Sequence, residues 1–213
     1  MIVHLLEYKV VPGHEAELAG HLRHASLSVP PQPGQVARYV GRRLGHQGRE
    51  HIAVTTWRDL SALADGTDAE GVPAYLARVV DLLGDKASRQ YRVVASVELG
   101  GETASVLRVY RTSIAAEAVE VWERRTFESV GRLANKDGLI AVVAGVEVAR
   151  VAAVPQAGEV SVVVLTAWTK WDLLLAATGG RLNRAIIDTE LADLERPASA
   201  DHFELLEAEP GPG

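Results

Sequence analysis

The hydrophobic positions of this chain fall into short, strand-sized runs broken by turn residues, and the same succession of runs occurs twice. In the first copy, Val3 to Val10 predicts a strand. Pro12-Gly13 breaks it and opens a helix from about His14 to Leu27, with Leu18, Leu22 and Ala25 on its apolar face. After the Pro30 to Gly34 loop, Gln35 to Leu44 and Glu50 to Trp57 predict a hairpin joined through Gly45 to Gly48. Asp59 suits the N-cap of a short helix from Leu60, a further helix is expected from Pro73 to Leu83, and Gln90 to Leu99 closes the copy as its fourth strand.

The second copy reads in the same order. A strand begins at Val106, a helix spans Ala116 to Leu133, and the strands Leu139 to Val151 and Glu159 to Trp168 follow. Helical segments are expected from Asp172 to Ala176 and Leu182 to Leu194, with Asp201 to Ala208 as the last strand. Tyr8 aligns with Tyr110 at a spacing of 102, Gly34 and Gly41 with Gly138 and Gly145 at 104, and Trp57 with Trp168 at 111. These spacings divide the chain into a first repeat 1–99, a linker 100–104, a second repeat 105–209 and a disordered tail 210–213.

Runs such as His51 to Val54 and Val160 to Leu165 are apolar on both parities, so both faces of each sheet should be covered. Helices cover one face, and the other copy is expected to cover the second. The expected fold class is α+β: two ferredoxin-like βαββαβ repeats forming two facing four-stranded antiparallel sheets with helices outside.

Composition narrows the function classes. With 213 residues, 47% hydrophobic and a net charge of −6, the chain can build a substantial core but offers no Lys/Arg block for nucleic acid. No apolar run approaches the roughly 20 residues of a membrane span, and Met1 leads straight into a strand pattern, so a soluble cytoplasmic protein is expected. The absence of Cys excludes disulfides, thiolate metal sites, iron–sulfur clusters and a cysteine nucleophile.

Several side chains could carry chemistry. His4 shares a strand face with Leu6 and Tyr8, which makes it a candidate general base; at the spacing of 102 its counterpart is Val106. Tyr8 and Tyr110 could donate or transfer a proton, although packing with the hydroxyl bonded is the commoner role of such residues. Glu17, His21 and His24, preceded by His14, share one helical stripe as metal ligands would, but the stripe reads as the solvent flank of the helix and no metal is assigned. Leu18 is matched by Trp122, so any ligand cavity is expected to be larger in the first repeat.

The Pro-Gly helix opener at Pro12-Gly13, the Pro-Gly before the second strand at Pro33-Gly34, and the strand ending in Trp57 together resemble the dimeric α+β barrel superfamily. More narrowly, they resemble antibiotic-biosynthesis-monooxygenase units fused in tandem. Members that oxidise polycyclic phenols without metal or flavin use a pocket lined by an Asn and a Trp on the third strand, a Tyr on the following helix and an Arg. The resemblance places Trp57 and Trp168 at the Trp position and Arg78 near the Arg position. Ala53 and Val164 stand where the Asn would fall, and Leu63 and Leu174 where the Tyr would. A haem-degrading branch uses a His on the helix after the third strand; neither 60–84 nor 171–194 contains one.

The resemblance implies a cofactor-independent monooxygenase-like protein that binds a hydrophobic aromatic or quinol-like molecule. The candidate catalytic residues are His4, Tyr8 and Trp57, and the candidate pocket residues are Leu18, Leu22, Tyr75 and Arg78. No cofactor, nucleic acid or membrane is expected, and the chain is expected to be a monomer with an internal pseudo-dimer or a weak homo-oligomer. The alternatives are a non-catalytic ligand-binding or structural pseudo-dimer and, ranked below it, a haem protein.

Overall fold

The computed structural model describes residues 1–28, 30–45, 49–99, 103–133, 135–148, 158–182, 194–196 and 198–209. Among them the element order is β1 (Ile2–Val10), α1 (Glu15–Ser28), β2 (Gln35–Arg43), β3 (Glu50–Trp57), α2 (Leu60–Gly66), a 3₁₀ segment (Ala74–Leu82) and β4 (Leu83–Glu98). There follow β5 (Val106–Ala115), a 3₁₀ turn (Ala116–Ala118), α3 (Val119–Leu133), β6 (Leu139–Glu147), β7 (Glu159–Trp168), α4 (Trp171–Thr178) and β8 (Ser199–Glu209). The chain divides into two compact units, Met1–Gln90 with Phe203 onward, and Tyr91–His202. β4 is therefore divided between the units after Gln90 and β8 after His202.

Within each unit the strand order is the ferredoxin-like one. β1 lies between β4 and β3, with β2 beyond β3; in the second unit β5 lies between β8 and β7, with β6 beyond β7. β1 with β3, β2 with β3, β4 with β6, β5 with β7 and β6 with β7 all pair antiparallel. β3 and β7 are buried along nearly their whole length on both parities, as their unbroken apolar runs require.

The repeat is visible in backbone detail. Gly34 and Gly138 both have positive φ, +80° and +73°, and their carbonyls accept from Arg58 and Thr169 at 2.8 Å. A Cβ at Gly34 would stand 2.5 Å from Ala62 Cβ, and one at Gly138 2.3 Å from Leu173 Cδ1, so both position and conformation demand glycine.

Hydrogen-bond register corrects the alignment of the first strands. Ile2 pairs with Trp57 and Val106 with Trp168, so the spacing on this strand is 104, the same as in the following helix and strand. The counterpart of His4 is thus Arg108, not Val106; that of Leu6 is Tyr110, and that of Tyr8 is Thr112. A slip of two residues preserves the in–out alternation, so hydrophobic pattern alone could not detect it.

Three element expectations also shift. The stretch after Pro73 is 3₁₀ rather than α, with Val79 at φ −123° and ψ 19° marking a kink inside it. β4 begins at Leu83, seven residues before the expected Gln90. Only Leu83 and Ser88 are buried over 83–90, so this strand half follows from pairing rather than from alternation. α4 extends to Thr178 and ends on Gly179 in the left-handed conformation. The expected helix to Leu194, the end of the strand to Val151, most of the linker and the tail at 210–213 lie largely outside the described residues. No helix among the described residues is long and apolar enough to cross a membrane.

Candidate functional site

The helix-side face of the first unit is built mainly from Leu6, Tyr8, Val10, Val40 and Ala53 of the sheet, packed on Leu18 and Leu22 of α1 and on Tyr75, Leu76 and Val79. This is the apolar setting expected for the sheet–helix space. Cross-strand register places one polar row in it: His4 opposite Thr55, and Thr55 opposite Arg38. His4 and Thr55 are fully buried and Arg38 is 1% exposed. Burying an arginine costs several kcal/mol unless its charge is compensated, and here the guanidinium carbon lies 4.7 Å above the Tyr75 ring centre.

The row is knitted by side-chain hydrogen bonds. Trp57 Nε1 donates to Thr55 Oγ1 at 2.8 Å, Thr55 Oγ1 lies 3.3 Å from His4 Nδ1, and His4 Nε2 lies 2.9 Å from Ser88 Oγ. The end of α2 and the turn at Gly71 hold their backbone against it. A Cβ on Gly66 would stand 2.0 Å from the Trp57 ring, and one on Gly71, at φ +80°, would stand 2.6 Å from Ser88 Oγ and 3.2 Å from His4 Nε2. Gly71 is placed by its turn: Asp68 Oδ1 accepts from Glu70 and Val72, and Asp68 O from Gly71 N.

The expected site residues thus separate. His4 and Trp57 meet through Thr55, and Leu18, Leu22 and Tyr75 belong to the apolar cluster that includes Leu6 and Tyr8. Tyr8 sits two rows away, stacked on His51 at 5.6 Å, and lines a polar groove of about 470 Å³ with Lys9, Arg43, Glu50 and Asp85. That groove is charge-paired through Lys9–Asp85 and Arg43–Glu50, unlike the apolar pocket expected around Tyr8. Burial, with a smaller contribution from Arg42, holds the His51 imidazole below its ordinary pKa. Arg78 is exposed on the 3₁₀ segment; the arginine buried against Tyr75 is Arg38 of β2.

A second groove, of about 460 Å³, is also lined by first-unit residues, among them Leu63, Thr67 and Gln90. On α1, His14 bonds Glu17 at 2.9 Å, whereas half-buried His21 donates from Nε2 to the Tyr75 carbonyl at 3.0 Å. His21 therefore ties α1 to the segment that carries Tyr75 instead of facing only solvent. The described side chains include no group of three or more His, Asp or Glu arranged to hold a metal ion.

The second unit keeps Trp168 Nε1 donating to Thr166 Oγ1 at 2.9 Å, but across from Thr166 stands Arg108, a pure donor. The register on the fourth strands sets β4 and β8 112 positions apart, which matches Ser88 with Ala200 and Leu83 with Glu195. Leu6, Leu18 and Leu83, an apolar cluster in the first unit, therefore correspond to Tyr110, Trp122 and Glu195. In the second unit Tyr110 OH donates to Glu195 Oε2 at 2.6 Å and Trp122 Nε1 to Glu195 Oε1 at 3.3 Å.

Burial raises the Glu195 pKa, opposed by these two hydrogen bonds, and burial then Glu195 raise that of Tyr110. Arg108, 5.1 Å over the Tyr110 ring, is lowered to about 10 by burial. His202, edge-on to Trp171 at 5.3 Å, is lowered to about 4 by burial and then by Arg108. The sequence reading missed Arg38, Thr55 and Glu195. The recurrence of Thr two residues before each Trp, at the same spacing of 111, was the signal that could have found Thr55.

Comparison with solved structures places this architecture. A candidate monooxygenase from Lactobacillus acidophilus superposes with a TM-score of 0.73 at 10% identity, over 98% of this chain and 95% of that one. One from Fusobacterium nucleatum gives 0.73 at 13% identity, over 100% and 95%. An anthrone oxidase-like protein gives 0.62 at 10% identity, over 98% and 92%. No protein-family model matches the sequence, and no curated protein does. The chain has the ferredoxin-like α+β fold of antibiotic-biosynthesis-monooxygenase-type proteins; identities this low establish fold and nothing finer.

Proposed function

We propose that the chain binds a hydrophobic aromatic or quinol-like molecule in the first unit and acts on it as a cofactor-independent monooxygenase. The observation that supports this reading is the buried polar row His4, Thr55 and Arg38 on an otherwise apolar sheet–helix face. Burying Arg38 costs stability, and the second unit carries Val142 in its place, with its own buried arginine, Arg108, on β5 instead. Arg38 supplies the positive charge that a phenolate or enolate oxygen requires, and the aliphatic and aromatic side chains around it suit planar rings. The monooxygenase names of the superposed proteins favour the same chemistry.

The test is oxygen uptake with anthrone as probe. Insertion of one oxygen atom at its methylene carbon, with the other leaving as water, consumes one O₂ for each anthraquinone formed. The reading expects turnover above the uncatalysed rate that falls at least tenfold in Arg38→Met and His4→Val. Uptake equal to the uncatalysed rate, together with no binding of anthrone, favours the rival reading of a structural pseudo-dimer. That rival draws on the complete burial of Trp57 beneath Gly66.

A further inference from the structure

We infer that Trp57 and Thr55 are positioning residues that fix the tautomer and donor direction of His4, so that Ser88 presents its hydroxyl proton to an acceptor oxygen of the bound molecule. The part concerning Ser88 rests on the functional reading above; the part concerning His4 stands without it.

Direction follows from what each group can do. An indole N–H only donates, so Thr55 Oγ1 accepts from Trp57. Among the described residues the Thr55 hydroxyl meets only Trp57 and His4, and it is fully buried. If Thr55 donates its one proton to His4 Nδ1, the imidazole carries its own proton on Nε2 and donates it to Ser88 Oγ. In the opposite tautomer Nδ1–H would point at Thr55, and the threonine proton would be buried with no acceptor. That arrangement is disfavoured about 5- to 160-fold. The order is therefore Trp57 to Thr55 to His4 to Ser88, every group donating to the next.

Two consequences separate this from a merely packed core. His4 faces Ser88 as a donor, not as the general base its residue type suggested. Ser88, 9% exposed and, among the described residues, hydrogen-bonded only to His4, keeps its hydroxyl proton for something further, while Gly71, where a Cβ would stand 2.6 Å from Ser88 Oγ, is the residue that lets its turn close on the pair. The fitting partner is a carbonyl or phenolate oxygen. The second unit cannot repeat the arrangement, because Arg108 replaces the histidine and Ala200 the serine.

The experiment uses the full chain labelled with ¹⁵N. Long-range ¹H–¹⁵N correlation spectra report which His4 nitrogen is protonated without any ligand. The Nε2–H form is expected, with the preference lost in Thr55→Val and retained in Thr166→Val. Where Thr55→Val does not fold, the wild-type spectrum alone decides: an Nδ1–H imidazole overturns the inference. For Ser88, binding of 1,4-naphthoquinone is compared in wild type and Ser88→Ala, with an expected weakening of about 2- to 10-fold for one neutral hydrogen bond. Equal affinity overturns the assignment of Ser88. No binding by wild type overturns it together with the functional reading, while the tautomer still answers for Trp57 and Thr55.

Discussion

Replacing Thr55 by Val, and separately Thr166 by Val, perturbs the same position of the two repeats with the same change of shape. Each threonine accepts from its tryptophan, at 2.8 and 2.9 Å, and each is fully buried. Valine leaves the indole N–H without an acceptor in both variants. A buried polar group stripped of its partner costs about 1–3 kcal/mol. At Thr166 that is the whole loss, because Arg108 opposite has no need of a donor. At Thr55 the variant also removes the hydrogen bond to His4 Nδ1, so two buried hydrogen bonds are lost and the expected cost is about 2–6 kcal/mol. Equilibrium urea unfolding followed by tryptophan fluorescence measures both, with unchanged m-values required for the comparison. The Thr55 variant should be the more destabilised, by an amount that disappears when His4 is first replaced by Val. Equal costs in the two repeats, or a difference that survives removal of His4, would refute the hydrogen-bonded chain.

Three further outcomes follow from the packing and the buried charges. Gly66→Ala should destabilise by at least about 1–3 kcal/mol, because its Cβ would stand 2.0 Å from the Trp57 ring; a thermal melt at wild-type temperature would contradict this. His202 has its folded pKa depressed to about 4, so its neutral form contributes stability above pH 6.5 that is lost as pH falls from 6.5 toward 4. His202→Asn should flatten that part of the stability–pH curve. Glu195 has its folded pKa raised by burial, so ionisation costs stability as pH rises above its unfolded value near 4.5. Glu195→Gln should remove this opposing trend and be no less stable than wild type at pH 7, whereas marked destabilisation there would show that the charge itself holds Tyr110 and Trp122.

Much of the fold was legible because it rests on signals with a period. The runs ending in Trp57 and Trp168, the glycines at 34 and 138, and the Asp59 cap, which accepts from Ala62 at 2.9 Å, all declared themselves in the chain. The first half of β4 did not, since hydrogen bonding to β1 rather than alternating burial makes it a strand. The site was less legible for a related reason. Aligning Tyr8 with Tyr110 matched two like residues but shifted the register by two, which leaves every inward position inward and hides the pairing of His4 with Arg108. Arg38 stands on the inward parity of β2, where the strand pattern gave no cue that a charge would be buried over Tyr75. What a sequence pattern cannot hold is which residue lies across the sheet, and here the chemistry depends on those cross-strand neighbours.

The separation of roles between the two repeats can be read from amide chemical shifts of the ¹⁵N-labelled chain titrated with 1,4-naphthoquinone. Shifts should concentrate on Gly71, Ser88 and the His4–Thr55 pair in the first unit, leaving the indole signals of Trp122 and Trp168 in place. Shifts centred on Tyr110, Trp122 and Glu195 instead, or none at saturating naphthoquinone, would contradict a ligand site in the first unit.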